Sequence, residues 1–412
     1  MSRLGRQFGV VSRAPGFRLL FFAAMGSTLG TLLATVALVV DVKDRTQSGA
    51  WVSALLVVEF LPSVLVGLAF GPLLDRLSRR RTMIVSDLVR VAVFCALPFA
   101  GNAATIVVLA GIAGLATGFF RPASYAGLPN LVPAEDLASA NSVLQAGENI
   151  SWAAGPVLGG ALVAAAGPHP AYWLNAASFV ISAALLSRIP ARLLQEVVAG
   201  SRGYLRDLRD GLMIVLRTRA LRAVLIAWTI VSLGLAATNA TEVFLAQNSF
   251  SAGDFGYGLL FGATGLGLAA GSLLGGSLVE RRSLATVYGA GILVLGGGFA
   301  LAAISPNVWV AAVFCIVVGL GNGLAILCNS LLVQRGAPDN LRGRVFTVII
   351  SVNTIFFGAG FVVGGLAVDH VSARWVWGVA GGIVVVMSLF AYGLARGSEA
   401  TSATAREPEP AL

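Results

Sequence analysis

The stretch "GPLLDRLSRRR", Gly71–Arg81, sets one acid and four arginines within eleven residues of an otherwise nearly uncharged neighbourhood. A second stretch, "GSLVER", Gly276–Arg281, repeats its Gly-x-Leu-x-acid-Arg form. Gly71 and Gly276 lie 205 residues apart, as do Asp75 and Glu280, in a chain of 412. Pro133 and Pro338, Gly155 and Gly360, and the pairs Gly159–Gly160 and Gly364–Gly365 share the same offset. A fixed offset of half the chain, carried by several landmarks, is the mark of an internal repeat.

Hydrophobic residues make up 57% of the chain and charged residues 11%. A soluble domain carries about 25% charged residues, so this chain has too little polar surface to face water all round. Apolar runs of the roughly 20 residues that span a bilayer recur from end to end. Twelve are read, at 18–40, 51–73, 83–101, 104–122, 143–166 and 171–189, then 223–246, 256–279, 284–304, 308–330, 345–368 and 375–396. Backbone groups find no water in the bilayer core, so each run is expected to be a helix. The first run is too long for the apolar region of a signal peptide and lacks a small-x-small site before Asp41. It is read as a membrane helix.

The fold expected is therefore all-α and integral to the membrane, with twelve transmembrane helices in two six-helix halves. The halves are assigned to 1–190 and 223–396, joined by a basic linker, 191–222, and followed by a disordered tail, 397–412. Six helices per unit keep both units in one orientation. A parallel repeat about an axis along the membrane normal is a known transporter design, with the substrate site between the halves.

A net charge of +9 suggests nucleic acid in a soluble protein, but here its placement explains it better. Twenty-three of the 28 basic residues fall on the side of the N-terminus when twelve spans alternate. The positive-inside rule makes that side cytoplasmic, so both termini are expected in the cytoplasm and the chain in the cell membrane. Cys95, Cys315 and Cys328 all lie in spans, and an odd number in apolar helices argues against a disulfide framework. His169 and His370 fall in loops. No metal-ligand cluster, no Gly-Lys-Thr phosphate loop and no nucleophile–base–orienter group is visible, which argues against a metal, a cofactor, drive by ATP and an enzyme.

An ionisable group inside a span is costly and points to function. Glu59, near the middle of the second span, is placed first as a proton-coupling residue. Glu242, towards the outer end of the seventh span beside Thr238, Asn239 and Thr241, is second. Glu148, in the fifth span beside Asn149, is third. Burial favours the neutral form of a carboxyl group. Proton-coupled exchange needs an acid that is neutral at one point of the cycle and charged at another. The competing reading of each acid is a pair with an arginine or a helix end. Asp87 and Arg90, three apart, read as such a pair. Asp41 and Asp369 stand at outer helix ends, within reach of water.

Gly155 and Gly159 are four apart and share one helix face, which permits close helix contact. Gly360 and Gly364 repeat the spacing in the eleventh span, and Gly267, Gly271 and Gly275 extend it in the eighth.

Taken together these residues resemble the major facilitator superfamily. Gly71, Leu73, Asp75, Arg76, Arg79 and Arg80 fit its loop 2–3 signature, with Ser78 where glycine is usual. "GPVLGG", with Gly155, Pro156, Gly159 and Gly160, resembles the core of its antiporter motif, with Ser151 where another glycine is common. The wording "FRPASYAGLPNLVPAEDLASANS" and "APDNLRGRVF" is similar to the macrolide-efflux and enterobactin-exporter branch. One departure is Thr31, in "LGTLL", where several members of that branch have an acid.

The resemblance implies a conformational gate at Gly71, Asp75, Arg76, Arg79 and Arg80, mirrored by Glu280 and Arg281. The matching aspartate contacts the start of the eleventh span when the cytoplasmic side is closed. It implies an antiporter-type seam of Gly155, Pro156, Gly159, Gly160, Gly360 and Gly364. It also implies a cavity lined by spans 1, 4, 7 and 10, where Thr31, Phe120, Trp228, Asn239 and Asn322 are the candidate contacts. These faces are mainly apolar and suit a bulky lipophilic solute.

The function expected is a monomeric secondary exporter of lipophilic small molecules, coupled to protons, embedded in the lipid bilayer and without a nucleic-acid partner. The alternatives are an exporter dedicated to one natural product such as a siderophore, a uniporter or importer, and a membrane sensor or assembly partner that moves nothing.

Overall fold

The computed structural model describes residues 9–69, 77–194, 212–337 and 341–404. The described residues form twelve long helices: α1 Pro15–Thr46, α2 Gly49–Ala69, α3 Arg79–Ala96, α4 Ala103–Gly127, α5 Leu137–Ala166 and α6 His169–Ser187, then α7 Arg219–Phe244, α8 Gly253–Arg281, α9 Leu284–Ala303, α10 Val308–Gly336, α11 Arg342–Val368 and α12 Ala373–Thr404. Eleven are long and apolar enough to cross a membrane, and α2 contributes the shorter apolar stretch Gly49–Pro62. No strand occurs among the described residues. The protein is an all-α integral membrane protein, as the hydropathy predicts.

Local chemistry sets several boundaries. Asn102 caps α4 by accepting a hydrogen bond from the Thr105 amide, and Asn307 caps α10 by accepting from Trp309 and Val310. Such a side chain satisfies amides that the first helical turn leaves open. The two asparagines stand 205 residues apart, so the repeat extends to the caps. Proline lies inside α2, α4 and α5, at Pro62, Pro122 and Pro156. The last turn before α8, Leu245–Ser249, is a π-helical turn.

The chain forms two compact units, 1–201 with 242–262, and 202–241 with 263–412. In the first, α1 packs on α5 and α6, α2 on α4, and α3 on α4 and α6. Two apolar clusters hold it together, one between α1 and α5 around Phe17, Val143 and Leu144, the other joining α1, α3, α4 and α6 around Leu20, Met83, Phe120 and Leu186. In the second, α9 packs on α10 and α12. There Gly360 and Gly364 of α11 lie against α7, and Gly319 and Gly323 of α10 lie against α8. Each partner choice of one set of six helices thus recurs six helices later. Helices in lipid gain little from apolar burial against each other, and close packing through small residues takes its place.

Helix ends differ from the hydropathy reading. Helix α1 continues through Thr46 and buries Asp41 and Lys43. Asp41 is neutralised one turn on by Arg45, at 2.6 Å, and accepts a hydrogen bond from Tyr172 at 2.9 Å. Helix α12 runs to Thr404, into the segment expected to be disordered. Gly397 is followed there by Ser, Glu, Ala and Thr, with no proline before Pro408.

Candidate functional site

Gly71, Asp75 and Arg76 lie outside the described residues, as do 195–211 of the expected linker and 405–412 of the tail. The described part of the gate begins at α3. Arg79 donates to the carbonyls of Ala126 at 2.9 Å and Leu194 at 3.2 Å, and Arg80 donates to that of Ser187. Ala126 and Ser187 end α4 and α6, where open carbonyls favour a cation. Two of the arginines therefore tie α3 to the ends of its neighbours. Glu280 and Arg281 are exposed at the end of α8.

The acids within the helices divide by partner. Asp41 pairs with Arg45. Asp87 pairs with Arg90 at 2.5 Å, as the three-residue spacing suggests. Glu148 pairs with Arg121 at 3.3 Å and accepts from the Tyr125 hydroxyl at 2.8 Å. Glu59 and Glu242 have no cationic partner among the described residues. Glu59, half-buried on α2, accepts one hydrogen bond, from Thr35 Oγ1 of α1 at 2.9 Å. Glu242 is 3% exposed, and its Oε1 has no hydrogen-bond partner. Tyr257 of α8, itself buried, lies within electrostatic reach of both carboxyls. All three belong to the first compact unit. Thr35 stands one turn beyond Thr31, so the face of α1 that lacks an acid at Thr31 meets one from α2 instead. Thr31 itself donates to the carbonyl of Ser27 at 2.7 Å.

The seam glycines divide in the same way. A Cβ on Gly155 would stand 2.8 Å from that of Leu32, and one on Gly159 would stand 2.6 Å from the Leu33 carbonyl oxygen, both on α1. Gly360 and Gly364 meet Leu233, Ala236 and Ala237 of α7. These four glycines serve contacts inside their own units. Gly160 faces another way, where its Cβ would meet the Asp254 carbonyl oxygen at 2.7 Å and the Gly258 Cα at 2.9 Å. Gly258 in turn lies against Gly160 and the carbonyl of Pro156. Gly159→Ala should cost about 1–3 kcal/mol, the usual range for overpacking, because the obstruction is backbone. A melting curve in detergent checks this, with Gly276→Ala, where nothing lies within 4 Å, as the unaffected control.

Of the expected cavity residues, Thr31 and Phe120 belong to the first unit, and Trp228, Asn239 and Asn322 to the second. Phe120 is 6% exposed in the core of the first unit, under the Arg90 guanidinium at 4.6 Å. It packs there against Arg90 of α3. Asn239 is half-buried on α7. Asn322 is 8% exposed on α10, with Oδ1 unpartnered. Trp228 lines a cavity of about 190 Å³ within the second unit, with Asn329, Phe346 and Asn353. Asn329 has neither side-chain atom satisfied, and Asn353 accepts from Thr229 at 3.2 Å. Asn322 and Asn329 are seven residues apart, which puts both on one helix face. The three cysteines are free, and no group of metal-binding side chains occurs among the described residues.

The chain is 28% identical over 369 residues to the multidrug efflux pump Tap of Mycolicibacterium fortuitum, covering 85% of this chain and 88% of that one. It is 24% identical over 391 residues to the macrolide efflux protein A of Streptococcus pyogenes, covering 88% and 92%. Its fold is similar to that of a peptide transporter, POT, crystallised with sulfate, at a TM-score of 0.74 and 13% identity, over 95% of this chain and 98% of that one. The Major Facilitator Superfamily matches residues 20–356 and 235–411. The twelve helices, their repeated packing and these matches agree: the chain is a membrane transporter and belongs to the Major Facilitator Superfamily.

Proposed function

We propose that the protein exports bulky lipophilic small molecules in exchange for protons, by alternating access, with both termini in the cytoplasm. The observation that carries the coupling is the division of the acids. Three in-helix carboxylates are held by arginines, whereas Glu59 and Glu242 have none among the described residues. An unpaired carboxyl away from water favours its neutral form, and wetting it as the protein changes state favours the charged one. Glu59 sits beside a hydroxyl that donates to either form, and it remains the first candidate. Glu242 is the second. Glu148, held by Arg121 and Tyr125, is better suited to joining α4 and α5. Export, rather than uptake, is supported by the similarity to efflux proteins.

The lipophilic class is supported by the sparse polar groups of α1, α4, α7 and α10. Trp228, Asn239, Asn322 and Thr31 are retained as candidate contacts. Gly71, Asp75, Arg76, Arg79 and Arg80, with Glu280 and Arg281 as their counterparts, are proposed to set the cytoplasmic gate.

Purified protein in liposomes tests this reading, with a radiolabelled macrolide and ethidium as probes. A proton gradient of one unit, acid on the side towards which the probe moves, should concentrate the probe about tenfold per exchanged proton, the equivalent of 1.4 kcal/mol. A protonophore should return it to the ungraded level. Flux that ignores the gradient would favour a uniporter. No flux of any probe under any gradient would favour a protein that moves nothing.

A further inference from the structure

Arg79, Arg80 and Arg81 follow one another on α3, so they point about 100° apart around the helix. Arg79 and Arg80 are committed to carbonyls at the ends of α4 and α6. Arg81 is exposed, and no hydrogen bond or ion pair engages it among the described residues. It stands instead at one end of a surface groove of about 770 Å³ between α3 and α4, within the first unit. Ser78 and Thr82 line the same end. Beyond them the walls are mainly apolar, formed by Val85 and Val89 of α3 and by Ile112, Leu115 and Phe119 of α4, with the Ser86 hydroxyl turned to the Ala116 carbonyl. Val85, Ile112 and Leu115 are exposed to 58%, 41% and 47%.

We propose that this groove binds one anionic phospholipid, its phosphate on Arg81 and an acyl chain laid between α3 and α4. The geometry fits that occupant in three respects. From Arg81 to Val89 is eight residues, about 12 Å of helix at 1.5 Å each, close to the depth of one leaflet of a core about 30 Å thick. The charged group and two of the three hydroxyls lie at the end where α3 begins, and the third hydroxyl, on Ser86, already donates to the Ala116 carbonyl. Among the described residues the one charged side chain lining the groove is positive, so it selects an anionic head over a zwitterionic one, where the lipid's own cation competes. An arginine needed only for topology would not require a groove beneath it. The site is separate from Glu59 and Glu242 and does not depend on what the protein moves.

Native mass spectrometry of the whole protein, released from detergent after incubation with equal amounts of phosphatidylglycerol and phosphatidylcholine, tests the assignment. Wild type should retain phosphatidylglycerol about fivefold over phosphatidylcholine, the selectivity of one basic side chain near an anionic surface. Arg81→Gln should bring the ratio close to one, and Arg222→Gln, which removes an exposed arginine elsewhere, should leave it unchanged. Val89→Trp, which fills the groove and keeps Arg81, should lower retention of both lipids, and it serves if Arg81→Gln fails to insert. Equal retention of the two lipids by wild type would overturn the proposal. So would a preference that Arg222→Gln lowers as much as Arg81→Gln, or phosphatidylglycerol retention unchanged in Val89→Trp. Displacement of neither lipid but uptake of ethidium at the groove would assign it to a lipophilic cation instead, and overturn it equally.

Discussion

Glu59→Gln is expected to abolish gradient-driven accumulation while leaving exchange of substrate for substrate intact. Glutamine keeps the size of the side chain and still presents an oxygen to Thr35 Oγ1, which now lies 2.9 Å from Glu59 Oε1. The contact between α1 and α2 therefore survives. What is lost is the ability to carry a proton. For one proton per cycle, a gradient of one unit supports about a tenfold concentration ratio, and without a titrating group that ratio falls to about one. Counterflow, in which labelled substrate enters vesicles preloaded with unlabelled substrate, needs no proton and should proceed at close to the wild-type rate. Thr35→Val should have a smaller effect, because it removes one hydrogen bond and keeps the acid. Accumulation retained by Glu59→Gln but lost by Glu242→Gln would move the coupling site to α7.

The second large effect is on stability. Asp87 is fully buried and Arg90 is 4% exposed, their side chains joined at 2.5 Å. Ser182 of α6 donates to the other Asp87 oxygen at 2.7 Å. The Arg90 guanidinium lies between the rings of Phe120 at 4.6 Å and Phe179 at 4.2 Å. Asp87→Leu would leave a buried cation with two aromatic faces and no counter-charge. Breaking a buried pair from one side costs about 3–5 kcal/mol, so the variant should melt well below wild type in detergent. Removing both charges, as Asp87→Leu with Arg90→Met, should recover most of the loss, because the penalty belongs to the orphaned charge and not to the missing pair. A single variant as stable as wild type would show that water reaches this site.

Much of the fold was legible because each helix must satisfy its backbone within itself, and apolar length alone then marks the spans. What the hydropathy missed were the ends. Helix α5 begins at Leu137, before the span expected at 143–166, because the polar run from Ala138 to Ser142 is helical outside the apolar window. The end of α1 carries Asp41, Lys43, Asp44 and Arg45, and only the fold shows that Tyr172 and Arg45 make Asp41 tolerable there. The site was legible where the partners were local. Asp87 and Arg90 lie on adjacent turns of one helix, so their pair was visible in the spacing. Glu148 and Arg121 lie on different helices, and nothing in their spacing announced the contact. Phe119 and Phe120 are neighbours in sequence, yet one lines the groove of α3 and α4 and the other packs under Arg90. The lack of a cation beside Glu59 is a property of the surrounding helices, which a single sequence does not display.

The measurement that tests the central claim most directly is proton release from acid-loaded inverted vesicles, followed with a pH-sensitive dye as a macrolide is added. Exchange predicts an immediate efflux of protons that saturates with the macrolide, is absent from vesicles without the protein, and is lost in Glu59→Gln. Macrolide entering the vesicles with no movement of protons would contradict it.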